Sequence, residues 1–121
     1  VKPKSKTILD LAHLKKVLNS KETFVYEMLE VILKMLPDIS KRFQEGLASR
    51  DQDEIGQAAH KMKSTILLLG NKEMTGLVRS IDTLCQRKGN VNWDTIEQHI
   101  NEFNTKTEVV VHEIKEILRN K

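Results

Sequence analysis

Ala59-His60-Lys61-Met62-Lys63-Ser64-Thr65-Ile66-Leu67-Leu68-Leu69-Gly70 is the stretch around which the chain is organised. Successive residues of an α-helix are turned by about 100°. On that wheel Ile55, Ala59, Met62, Ile66 and Leu69 collect on one side, an apolar stripe fit to face a core. The opposite side carries Asp53, Gly56, Gln57, His60, Lys63, Ser64 and Leu67, all polar or small except the last. Asp51 and Glu54 have the spacing of a capping box, and Gly70 suits a left-handed C-cap. The pattern therefore predicts a helix from about Asp51 to Gly70, with an imidazole turned away from the core.

A neutral imidazole nitrogen is a nucleophile near neutral pH. It can accept a phosphoryl group in line when a second protein presents one. Lys63 lies one turn on, on the same helix surface, where its ammonium can face phosphoryl oxygens. Gly56 and Ser64, four residues to either side of His60, leave room for another protein to close over the ring. An ordinary solvent-exposed histidine on an amphipathic helix fits the same geometry. Leu67 is either covered by a neighbouring element or part of an apolar docking patch.

Outward from this helix the rest of the chain also reads as helical. Thr7 can cap a short helix with Asp10 at its third position, its apolar side being Ile8, Leu11, Ala12, Leu14 and Leu18. Such a helix makes a lid across one end of a bundle. Ser20 can cap the next, whose stripe is Phe24, Val25, Met28, Leu29, Ile32, Leu33 and Leu36. Pro37 predicts a break or kink, since it lacks an N–H and its ring crowds the preceding turn. The helix resumes through Ile39, Phe43 and Leu47. Beyond Gly70, Asn71 caps a fourth stripe of Met74, Leu77, Val78, Ile81 and Leu84, which stops at Lys88-Gly89-Asn90. A last helix starts at Asn92 and carries Trp93, Ile96, Ile100, Phe103, Thr107, Val110, Ile114 and Ile117 in a heptad-like seam. Asn104-Thr105 is a weak point in what is expected to be the longest element.

His60-Lys61-Met62-Lys63-Ser64 followed by Gly70 resembles the H-x-x-K-G…G signature of histidine-containing phosphotransfer (HPt) domains. The similarity extends from about residue 8 to residue 118 and includes the Phe43…Leu47 helix, the Ala48-Ser49-Arg50-Asp51 junction and the Ala-His pair. The resemblance implies a bundle that relays phosphoryl groups between receiver-domain aspartates, with His60 as the phosphorylated residue and Lys63 steadying the phosphoryl oxygens. Gly56, Gln57, Ser64 and Leu67 would line the contact with the receiver. Glycine is usual after the lysine; here that place is Ser64. Any Mg²⁺ is expected on the partner receiver, with no cofactor in this chain.

Composition bounds the alternatives. The chain has 121 residues, enough for one core, with 39% hydrophobic and 31% charged residues and few glycines or prolines. Strictly alternating β-branched runs are absent, so the fold is expected to be all-α: an antiparallel up-down four-helix bundle with an additional N-terminal helix. Residues 1–6 read as a flexible basic lead and 7–121 as one domain. The net charge of +3 comes from interleaved acids and bases, which marks solvated faces rather than a nucleic-acid stripe. No apolar run nears the roughly 20 residues needed to span a bilayer, and no signal peptide is evident. Cys85 is alone, which fits a reducing, cytoplasmic setting and a buried thiol. The start at Val1 suggests a fragment of something longer, such as a hybrid sensor kinase whose kinase portion would then be a further partner.

The four histidines do not make a metal site by spacing: Asp10-x-x-His13 has no second copy, and His99 and His112 have no histidine one turn away. No glycine-rich phosphate loop is present, so the chain is expected to carry phosphate without binding ATP. Two other classes remain open: a docking module that transfers nothing, and a structural bundle that dimerises through its last helix.

Overall fold

The computed structural model describes residues 8–19, 21–87 and 89–121. They form five helices: α1 (Leu11–Leu18), α2 (Glu22–Ala48), α3 (Gln52–Leu68), α4 (Lys72–Gln86) and α5 (Trp93–Arg119). No strand occurs among the described residues. Each of α2 to α5 packs on its sequence neighbours, and α5 closes the ring against α2. Short connections turn successive helices antiparallel. The result is a four-helix bundle with α1 laid across α2 and α3. No helix of the described chain is long and apolar enough to cross a membrane.

The entry to α1 differs from the sequence expectation. Thr7, its expected cap, lies outside the described residues. The helix starts at Leu11, and Asp10 is the N-cap, its carboxylate accepting from the His13 N–H at 3.0 Å. Ile8 and Leu9 precede the helix as buried, non-helical chain. The Glu113 carboxylate of α5 accepts their backbone N–H groups, at 2.8 Å for Leu9, which satisfies donors that a helix would otherwise satisfy. Within α1 only Leu14 is fully buried; Leu11 and Leu18 are half-buried and Ala12 is exposed. Asn19 ends α1 in the left-handed region (φ 45°). Ser20, the expected cap of α2, also lies outside the described residues. Lys21 stands at the cap position without a side-chain hydrogen bond.

Pro37 does not break α2, which runs through it for 27 residues. Proline within a helix costs about 3 kcal/mol. Against that, Ile39, Phe43 and Leu47 beyond the proline are buried, and each fully buried side chain of this size contributes about 1.5–3 kcal/mol. Keeping them in register with Leu29, Ile32 and Leu36 outweighs the lost hydrogen bond, and the proline ring itself faces solvent. Phe24, expected in the stripe, is exposed, so the buried face begins at Val25. Phe43 meets Phe103 of α5 edge-on at 5.3 Å between ring centroids, the one aromatic pair in an otherwise aliphatic core of described residues.

The turn between α2 and α3 is tight. Arg50 takes a positive φ of 55°, a conformation uncommon outside glycine. Its guanidinium donates to the Leu47 carbonyl at 2.7 Å and lies 5.2 Å from the centre of the Trp93 ring.

Helix α5 is also continuous. Thr105 returns its hydroxyl to the Asn101 carbonyl at 3.0 Å, and no break occurs at Asn104-Thr105. At 27 residues α5 equals α2 rather than exceeding it. Of the expected seam, Ile96, Ile100, Phe103, Thr107, Val110 and Ile114 are buried inside the bundle, and Trp93 and Ile117 at its ends are half-buried. The buried side chains are therefore occupied and cannot serve a dimer as well. In α4 the buried face departs from the expected stripe. Leu84 is half-buried, whereas Asp82 and Cys85 are buried.

Candidate functional site

Helix α3 is fixed at both ends by local chemistry. The Asp51 carboxylate accepts from the Glu54 N–H at 3.1 Å. The reciprocal half of the expected capping box is absent. Glu54 instead pairs with Arg42 of α2 at 2.7 Å, and the Asp51 N–H donates to the Gly46 carbonyl. At the other end Gly70 takes φ +70°. A side chain there would also strike Asp10 and the His13 ring, at 2.8 and 2.9 Å. The same glycine thus ends α3 and seats α1. Asn71 then caps α4 through the Met74 N–H.

The rotation of α3 matches the wheel. Ile55, Ala59, Met62, Ile66 and Leu69 are buried in the core. Asp53, Gln57, His60, Ser64 and Leu67 are exposed, and Gly56 and Lys63 are half-buried. The His60 side chain is 70% exposed, so its ring is open to a macromolecular partner. Leu67 is uncovered, at 47% exposure, and with the equally open Val17 of α1 it flanks a shallow groove. Its carbonyl meets His13 Nε2 at 3.2 Å, so His13 ties α1 to α3 rather than standing free at the surface. His99 is half-buried, and His112 lies 3.9 Å from Glu116. No group of described residues could hold a metal ion.

Sequence reasoning missed Asp82. This carboxylate of α4 is buried, and its Oδ2 lies 2.9 Å from Lys63 Nζ and 3.6 Å from His60 Nδ1. Its other oxygen, Oδ1, accepts from Gln86 Nε2 at 3.1 Å. At 3.6 Å the His60 contact is too long for a hydrogen bond, and the Asp82 carboxylate faces the ring as a nearby negative charge. Burial pushes the Asp82 carboxyl up. Hydrogen bonds from Lys63 and Gln86, the Lys63 charge and the nearby His60 outweigh burial and hold it below its ordinary value. A signal existed in the sequence: Asp82 falls four after Val78 and three before Cys85, in line with buried positions of α4. An acid in a buried stripe requires a cationic partner, and that partner comes from α3.

Asp82 therefore links the site to stability. Its native carboxyl is depressed, so its contribution is present at pH above the unfolded value and fades as pH falls through the native one. Lys63 is 37% exposed and can rehydrate when unpaired. Asp82→Asn is thus expected to cost about 1 kcal/mol near neutral pH and to flatten the acid side of the stability curve. Denaturant melts across pH 3 to about 7 measure both. An unchanged acid limb would mean that Lys63 and Asp82 are not paired.

Asp82 also lies on the floor of an open groove of ≈ 770 Å³ beside His60, walled by Arg42, Gln52, Gln57, Gln86 and Arg87. Cys85 is buried below it, its thiol pushed up to about 11 by burial and by the Asp82 charge.

An exposed imidazole, an ammonium one turn on and a carboxylate behind both can hold and exchange an anionic group. A model of the Hpt domain family matches residues 27–119, from within α2 to the end of α5. The chain belongs to the Hpt domain family. Hpt domains are phosphocarrier modules of two-component phosphorelays, not kinases. Among solved structures the chain is similar to the HPt domain from the Hpt sensor hybrid histidine kinase of Shewanella, with a TM-score of 0.83 and 22% identity. That match covers 95% of this chain and 97% of the other. At this identity it shows the shared fold. No curated protein matches the chain with significance.

Proposed function

We propose that this Hpt domain is a phosphorelay intermediate, in which His60 takes a phosphoryl group from a receiver-domain aspartyl phosphate and passes it to another receiver. The observation that carries the proposal is the exposure of the His60 ring on α3, with Lys63 and Asp82 gathered behind it. Asp82 faces Nδ1 and favours a proton there, which leaves Nε2 with its lone pair toward solvent. That lone pair attacks phosphorus in line. The bond to the aspartyl oxygen breaks and its electron pair returns to the receiver carboxylate. The imidazole keeps its Nδ1 proton and becomes cationic, and Asp82 stabilises that charge. Transfer onward is the reverse sequence.

Lys63 serves the phosphoryl oxygens in this scheme, and Mg²⁺ is supplied by the receiver. The open face of Gln57, Ser64 and Leu67 is the receiver contact, extended by Val17 across the groove. Membership of the Hpt family supports a cytoplasmic setting, with receiver domains as partners and a kinase portion of the same polypeptide as a further one. The test is acid-labile, alkali-stable phosphate on His60 after incubation with a phosphorylated receiver. Binding without phosphate uptake would make this a docking module that transfers nothing.

A hydrogen bond to a charged group contributes about 1.5–3 kcal/mol. Lys63→Ala is therefore expected to slow transfer by about 10- to 100-fold and to shorten the phosphohistidine lifetime, while receivers still bind. Stopped-flow transfer and a separate binding titration check this. Unchanged kinetics and lifetime would reduce Lys63 to a structural partner of Asp82.

A further inference from the structure

Gly56 was expected to leave room for a receiver, yet its open side also faces the bundle. A Cβ built there would stand 3.0 Å from Cys85 Cβ, closer than nearly all real contacts of that kind. Helix α4 thus approaches α3 at a point where α3 has no side chain. One turn earlier on α3, Gln52 Nε2 donates to the Cys85 carbonyl at 2.7 Å and to the Arg87 carbonyl at 2.6 Å. One turn further on α3 is His60, and one turn back along α4 from Cys85 is Asp82. The two antiparallel helices are therefore pinned at Gln52, brought close at Gly56, and meet at the Lys63–Asp82–His60 cluster.

We infer that Gly56 is a positioning residue for phosphoryl transfer: its missing side chain admits Cys85 and so sets the α3–α4 spacing at which Asp82 reaches Lys63 and His60. The inference rests on the phosphorelay function proposed above. It replaces a docking role for Gly56 with a packing one. A methyl group at this position forces Cys85 to give way by a few tenths of an ångström. Asp82 is carried on the next turn of the same rigid helix and moves with it. Transfer geometry is sensitive to shifts of this size. A misplacement of about 1 Å can cost on the order of 100-fold, so a smaller shift is assigned about 10-fold.

The test uses Gly56→Ala, Cys85→Gly and the double variant. In Gly56→Ala the Asp82 carboxyl, followed by carbon NMR, is expected to titrate at higher pH because Lys63 holds it less closely. His60 phosphorylation should slow by about 10-fold, with receiver affinity unchanged. Alanine is the better helix former, so the variant is expected to fold. Removing the opposing Cβ in Gly56→Ala/Cys85→Gly should restore both readouts. A docking role predicts the opposite: weaker receiver binding that Cys85→Gly does not rescue. That result, or an Asp82 titration and transfer rate unmoved by Gly56→Ala, overturns the inference. Failure of the wild-type chain to take phosphate would sink the phosphorelay function instead. The Asp82 titration would still decide the packing role.

Discussion

His60→Gln is expected to give a fully folded bundle that takes up no phosphoryl group. Glutamine is polar and of similar reach, but its amide nitrogen shares its lone pair with the carbonyl and cannot attack phosphorus. The folded state has little to lose. The His60 ring is 70% exposed, and its contact with Asp82 is 3.6 Å long. Lys63 and Gln86 still hold that carboxylate. A surface exchange of this kind changes stability by less than about 0.5 kcal/mol. Radiolabel transfer from a phosphorylated receiver, read beside a thermal melt, measures both halves. A sharp fall in melting temperature would contradict the exposure of this ring. Retained phosphate would move the acceptor to His13, His99 or His112.

The second large effect concerns Ser64. It is exposed one turn beyond His60, where glycine is usual in the family signature. Ser64→Phe places a phenyl ring beside the imidazole on the face a receiver must cover. Phenylalanine is only a few tenths of a kcal/mol from serine in helix preference, and the side chain points outward, so the bundle should fold. Receiver binding is expected to fall below detection in a titration that readily sees the wild type. His60 phosphorylation by the receiver should fall with it. Normal binding and transfer in this variant would show that receivers approach from elsewhere.

The residues of α3 were legible because its signals are local. The cap at Asp51, the stop at Gly70 and the rotation that buries Met62 and exposes His60 all follow from helix geometry within a few turns. Pro37 shows where a local rule loses. The proline is unfavourable in isolation, but buried residues on both sides hold α2 together. The start of α1 turned on a distant residue: Glu113 takes the Ile8 and Leu9 amides, so the chain need not become helical until Asp10. Asp82 could be read as an acid in a buried stripe, but its pairing could not, for a similar reason. Its partner Lys63 lies on another helix, and no spacing within α4 announces it. At Gly56 the sequence shows a missing side chain but not the closeness of Cys85, which is set by the distance between helices. Periodicity reports which side of a helix is buried, not what lies against it.

The corner at Arg50 gives the molecule a built-in optical reporter. Trp93 is the only tryptophan in the chain, and it is half-buried under the Arg50 guanidinium at the first residue of α5. In the closed α2–α3 turn Arg50 holds a left-handed backbone and its guanidinium reaches the Leu47 carbonyl. Indole emission is sensitive to a nearby cation and to water. Fluorescence from this one ring thus reports when the turn that launches the His60 helix comes to rest on α5. Far-ultraviolet circular dichroism reports the helices as a sum. Coincident traces from the two would show that the corner and the bundle form in a single cooperative step.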